Sequence, residues 1–337
     1  MRNMSNPKQI IVKLDPARIT KAYDTYWRFA YERQNIFFNR IRTNKSPFTD
    51  DLILQTYKFT NVYRACDRVS QYLIKHIIYD SKGDYSERDI LFRVLLFKLF
   101  NKIETWQLLE YRFGELTAKS FDIYAITEFL NSEMNNGRTL YSNAYMMASG
   151  CKEFKVTRKH HAHLMLLKKM LDDSLAEKIS ACKKMSDAYL LLLGYPLIGR
   201  FLAYQYVTDL NYSTLTNFKE TEFTVPGPGA RDGIRKCFSK LGGLSETDII
   251  KMMTDRQELE FDRLGLDFKK IGSRPLQYID IQNIFCEVDK YCRVAHPELV
   301  GFSGRTRIKQ RFKHNSEPIV YFFPPKWKIK ELIQSGN

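Results

Sequence analysis

No stretch of the sequence is long and apolar enough to cross a membrane. The longest apolar runs are interrupted by Lys, Arg or Asp, and the first ten residues carry no apolar segment. A membrane-spanning protein is thereby excluded, and a soluble, cytoplasmic one is expected. The six cysteines, Cys66, Cys151, Cys182, Cys237, Cys286 and Cys292, include no Cys-x-x-Cys pair. Disulfide staples and a cysteine zinc site are therefore not expected, and the thiols read as reduced and mostly buried. The motif GxxxxGK[ST] is missing, and the segment from Gly229 to Lys236 resembles it only distantly, so no P-loop phosphate cradle is present. Nothing repeats at the period of a solenoid.

What is present is a basic, aromatic-rich chain. Its 337 residues hold 53 Lys and Arg against 38 Asp and Glu, a formal charge of +15, with 44% hydrophobic and 14% aromatic residues. That length and composition can bury a sizeable core. The positive surplus favours a polyanionic partner, because neutralised phosphates release counterions and supply affinity without regard to sequence. DNA is the expected partner; no obligate protein partner, cofactor or metal is indicated. His160, His161 and His163 are spaced wrongly for one helical face, so a solvated basic segment is favoured over a metal site.

Hydrophobic periodicity predicts helices over 19–42, 51–78, 89–111, 121–135, 158–180, 184–193, 230–239, 245–263 and 278–295, hence a mainly α fold. Residues 193–210 read as two helical stretches joined by the turn Pro196-Leu197-Ile198-Gly199. Composition shifts after 215, which divides the chain into 1–215 and 216–337, packed as one unit. Near the end Arg305, Arg307, Lys309, Arg311 and Lys313 alternate with other residues. Period-two alternation, with Ile319 to Phe323 beyond a turn, predicts a small C-terminal β-hairpin with a one-sided basic row for a phosphate backbone.

Polar residues cluster at Arg33 and Gln34, at Asn61, Arg64, Asp67 and Arg68, and at Gln282, Asn283, Glu287 and Lys290, each within apolar sequence. Asn and Gln suit the Watson–Crick edge of a base, which makes these candidates for a base pocket; satisfied polar groups in a helical core would use the same residues. Gly227 and Gly229, in Pro226-Gly227-Pro228-Gly229-Ala230, permit close approach of a ligand, as would a plain turn.

The segments 59–74, 96–106, 226–234, 280–291 and 324–327 resemble the DNA base hypermodification family, whose all-helical module is named from 5-hydroxymethyl-dU DNA kinases. The likeness runs from about Tyr23 to Trp327. Without a P-loop, the kinase activity in that name is not carried over to this chain. The turn at 196–199 also resembles the helix-hairpin-helix of the endonuclease III class of DNA glycosylases, with Gly199 at the phosphate-binding end and Leu197 in place of the first glycine. That resemblance puts Phe201 where a lyase has lysine, and implies a monofunctional glycosylase with water as nucleophile and Glu220, Glu222 or Asp209 as its carboxylate. The expectation is therefore a helix-hairpin-helix glycosylase that excises a modified pyrimidine from DNA, such as that of a phage, with anti-phage defence as the expected setting. The alternatives are a transferase acting on 5-hydroxymethylpyrimidines in DNA, and a non-catalytic reader of modified DNA.

Overall fold

The computed structural model describes residues 15–43, 45–80, 83–329 and 332. It is mainly helical, and its helices gather around two apolar clusters.

Helix α1 (Ala22–Thr43) places Tyr23, Tyr26, Trp27, Ala30, Phe37 and Phe38 on one buried stripe. Successive breaks then shorten the helices: α2 (Leu52–Thr56), α3 (Arg68–Tyr72), a π-helical turn (Leu73–Ile78), α4 (Glu87–Phe100), α5 (Ile103–Phe113) and α6 (Ile123–Asn135). Next come α7 (Lys159–Asp172), α8 (Leu175–Ser180), α9 (Met185–Leu193) and α10 (Arg200–Leu210). The last group is α11 (Pro228–Cys237), α12 (Glu246–Asp255), α13 (Gln257–Arg263) and α14 (Tyr278–Ala295).

Helix α4 runs through the first cluster and is buried on every side from Ile90 to Phe100. A helix so placed must satisfy its own charges. Arg93 does so by donating to the carbonyls of Ile77, Leu116 and His76, around the π-helical turn.

The second cluster joins the two ends of the chain: α1 packs with α11 and α14. The tightest approach is between α11 and α14, where a Cβ on Gly233 would lie 2.0 Å from the Phe285 carbonyl oxygen. Gly227 caps α11, and a Cβ on Gly229 would meet Cys286 Sγ at 2.3 Å. The close approach expected at Gly229 is therefore made by protein, at a helix crossing.

Four features differ from the sequence reading. The helix expected over 51–78 is broken at 57–67, because Asn61 and Asp67 bind backbone groups of that segment. The helices expected over 89–111 and 158–180 each divide at a left-handed residue, Asn101 and Ser174. The two-stranded antiparallel sheet pairs Arg18–Ile19 with Phe238–Lys240, not 305–313 with 319–323. Those C-terminal stretches are extended without forming strands; residues 310–312 instead bond to 56–58, through Lys58 N–H to the Gln310 carbonyl (3.1 Å) and Phe312 N–H to the Thr56 carbonyl (3.0 Å). His160 and His163 are buried on α7, not solvated, and His163 lies within hydrogen-bond distance of the Tyr141 hydroxyl (3.0 Å) and the Ala148 carbonyl (2.8 Å).

Candidate functional site

The broken helix creates the site. Asp51 caps α2 by accepting from Ile53 N–H (2.8 Å) and Leu54 N–H (3.0 Å), and the chain turns extended at Tyr57. Asp67 accepts the Asn61 N–H at 2.8 Å, while the Asn61 side chain donates to the Cys66 carbonyl at 2.8 Å. A tight loop results. Helix α14 holds it from behind: Glu287 accepts the Thr60 N–H (3.0 Å) and Asn283 donates to the Asn61 carbonyl (2.8 Å).

Between this loop, α1 and the C-terminal segment opens a cleft of about 730 Å³. Arg33, Asn61 and Asp67 form its floor, and Arg40, Lys58, Arg68, Arg311 and Lys313 supply further cations along its walls. Burial pushes the Asp67 carboxyl up to about 6, although the Asn61 N–H and the Arg33 guanidinium oppose the shift. Burial also lowers the pKa of Arg33, against the pull of Asp67 and Glu287. The Nη1 of Arg33 is buried and has no hydrogen-bond partner among the described residues. A basic cleft whose floor carries a carboxylate poised near neutrality can hold a phosphate backbone and accept a proton from what lies beneath it.

The cleft brings together six of the residues expected from the sequence, Arg33, Asn61, Asp67, Arg68, Arg311 and Lys313. Glu287 and Asn283 serve it through the backbone of residues 60–61. Others lie elsewhere. Gln34 donates to the Lys269 carbonyl, and Gln282 accepts the Gly227 N–H. Arg64 is buried in an ion network with Asp209 (2.7 Å), whose second oxygen lies 3.2 Å from Lys98 Nζ. Glu220 pairs with Arg274 at 2.7 Å, and Glu222 is exposed. Gly199 caps α10, and Phe201 stacks on Tyr145 with centroids 5.7 Å apart. In the basic row Arg305 is tied to buried Asp232 at 3.0 Å, whereas Arg307 and Lys309 lie exposed. Sequence reasoning missed Arg40, Lys58 and the cleft aromatics Phe48, Phe59, Phe312 and Tyr321. Composition, aromatics interleaved with cations in 57–68 and 311–321, could have found those that lie in these two segments.

Comparison with known proteins identifies the class. The model of the family "5-hmdU DNA kinase, helical domain" matches residues 20–301, and the chain belongs to that family. A 5-hmdU DNA kinase of Bacillus phage SP10 is similar at 28% identity over 340 residues, covering 96% of this chain and 53% of the phage protein. The chain thus spans about half the length of that relative. No solved structure matches. Among the described residues, no helix is long and apolar enough to cross a membrane.

These findings overturn the glycosylase expectation. A kinase is a phosphotransferase, so the relative modifies DNA by transfer and not by N-glycosidic hydrolysis. The carboxylates assigned to hydrolysis, Asp209, Glu220 and Glu222, have no hydrolytic role to fill.

Proposed function

We propose that the chain acts in DNA base hypermodification as the module that binds DNA and presents a 5-hydroxymethylpyrimidine for group transfer, with the cleft over Asp67 as its site. The observation that carries the reading is the pairing of one carboxylate, pushed up to about 6, with a cationic cleft. In this reading Lys58, Arg68, Arg311 and Lys313 contact phosphates of the DNA strand. Asp67 in its ionised form takes the hydroxymethyl proton as that oxygen forms its bond to the phosphorus of a donor and the donor's leaving group departs. The membership in a family named for 5-hmdU DNA kinases supports transfer as the reaction class. No phosphate cradle of P-loop type occurs in the sequence.

Equilibrium binding tests the reading. A duplex with a single 5-hydroxymethyluracil is expected to bind about tenfold tighter than the same duplex with thymine, the scale of one good polar contact to a base. Asp67→Ala should remove most of that preference. Equal affinity of the unaltered protein for both duplexes would overturn the proposal.

A further inference from the structure

Beside the cleft, and sharing Arg33 with it, lies a second and smaller cavity. Its volume is about 140 Å³, and Phe48, Leu54, Tyr57, Phe59 and Phe312 give it apolar walls. Arg33, Ile36, Phe48, Phe59 and Phe312 line both spaces, so the two adjoin along a shared wall. An apolar cavity of ~150 Å³ suffices for a benzene-sized ring. The size therefore matches one six-membered ring and is too small for a nucleotide.

The polar groups at this cavity are few and incompletely used. Arg33 brings its buried, unpartnered Nη1 to the shared wall. Gln55 donates its amide nitrogen to the Thr49 carbonyl at 2.7 Å, which leaves the amide oxygen as the end that can accept. A buried guanidinium nitrogen without a partner is costly, and a ligand carbonyl would remove that cost. The aromatic wall is firmly supported: Phe59 packs against Phe29 at 5.4 Å and Tyr291 at 6.2 Å, and Lys290 Nζ sits 4.6 Å from its ring centroid.

We propose that this cavity is the pocket for an extruded pyrimidine of the uracil type, with Phe48, Phe59 and Phe312 enclosing the ring and Arg33 and Gln55 reading its edge. Arg33 donates to a ring carbonyl and Gln55 accepts the N3 hydrogen. The 5-substituent then projects through the shared wall toward Asp67. A cytosine ring presents an amino donor and an unprotonated N3 on that edge, which leaves Gln55 facing an acceptor with its own acceptor oxygen. Extrusion is required because a ring stacked between its neighbours in a duplex cannot enter a cavity sized for one ring. The inference rests on the reading of the cleft as the DNA site, and adds to it where the base goes.

The test uses a duplex in which 5-hydroxymethyluracil stands opposite 2-aminopurine, whose fluorescence rises when its partner leaves the stack. At protein concentrations that saturate the duplex, a severalfold rise is expected. Gln55→Trp, which fills the cavity, should lose most of that rise at saturation, with circular dichroism confirming that the variant is helical. As a check independent of any variant, 5-iodouracil placed at the target position should photocrosslink to the unaltered protein within 33–36, 46–59 or 308–313. A bound duplex with no fluorescence change, an undiminished rise in a folded Gln55→Trp protein, or crosslinks confined to other segments would each overturn the pocket while leaving the cleft reading intact. Failure of the duplex to bind at all would overturn both.

Discussion

Two arginine–aspartate combinations share the loop at 59–68, a salt bridge between Arg64 and Asp209 and a longer-range electrostatic coupling between Arg33 and Asp67, and their surroundings have opposite effects. At Arg64 and Asp209 the pair is closed. Arg64 donates to Asp209 (2.7 Å), Gln205 (3.1 Å) and Tyr212 (2.9 Å), and Lys98 completes the site. Burial alone would raise the Asp209 pKa, but Arg64 and Lys98 hold it below the usual carboxylate value. Arg64 is likewise raised by Asp209 against the effect of burial. At Arg33 and Asp67 the pair is open to the cleft and both shifts reverse: the acid is raised and the base lowered. The charge of the closed pair is compensated within the protein by Arg64 and Lys98, whereas Arg33 and Asp67 face a cleft. This separates a charge that holds the fold from one available for chemistry, though both read alike as single letters.

The comparison breaks most visibly at the closed pair. Asp209→Ala leaves Arg64 and Lys98 buried without their counter-charge, and unfolding in urea should show a loss of about 3–5 kcal/mol. Little or no loss would place the network nearer to solvent than the structure does. At the open pair the effect should fall on rate. In a reconstituted transfer reaction, Asp67→Asn is expected to slow the chemical step about a hundredfold or more, with nucleoside mass spectrometry as the readout. For the unaltered protein the same step should gain about tenfold per pH unit below pH 6 and level off above it, because only ionised Asp67 accepts the proton. A rate independent of pH from 5 to 7 would remove Asp67 from the step.

The salt dependence of DNA binding gives a smaller test. Replacing Arg307, Lys309 and Lys313 with Ala should weaken binding to every sequence and reduce the slope of log K against log salt by about 0.9 per lost phosphate contact. Arg305, already tied to Asp232, should contribute less. The smallest expected effect concerns stability and has the opposite sign to that of the closed pair. A folded-state pKa near 6 lies above the unfolded value, so between about pH 4 and 6 the native state binds more protons and loses stability as pH rises. Asp67→Asn should therefore be more stable than the parent at pH 8, by on the order of 1 kcal/mol after allowance for solvent screening, and equal to it at pH 4.

Helix α14 was legible in the sequence because its signals agree: apolar spacing runs through 278–295, and Gln277 and Asp280 form a capping box at its start. The break at 57–67 was hidden, since the apolar pattern there continues while side chains of Asn61 and Asp67 bind the backbone, which periodicity does not register. The basic row misled in a related way. Its cations are exposed as expected, but Thr306 and Gln310 between them are exposed too, so no buried face fixes a strand. Arg33, Asn61 and Asp67 could be picked out because polar residues in apolar sequence are conspicuous. What could not be read is which of them are already satisfied: Gln34, Gln282 and Arg64 carry the same composition signal, yet their partners sit 235, 55 and 145 positions away.

The C-terminal basic segment is fastened at both ends, with buried Asp232 holding Ser303 and Arg305 and the backbone of 310–312 bonded to 56–58. It is thus preorganised. A tail that became ordered only on DNA would lose backbone and side-chain freedom at the moment of binding, at a cost of about 0.5–1.5 kcal/mol for each long side chain immobilised. Here the backbone share of that cost is met during folding of the protein itself. The same cations should therefore give a longer residence time on DNA than a free peptide of 303–313 carrying identical charge.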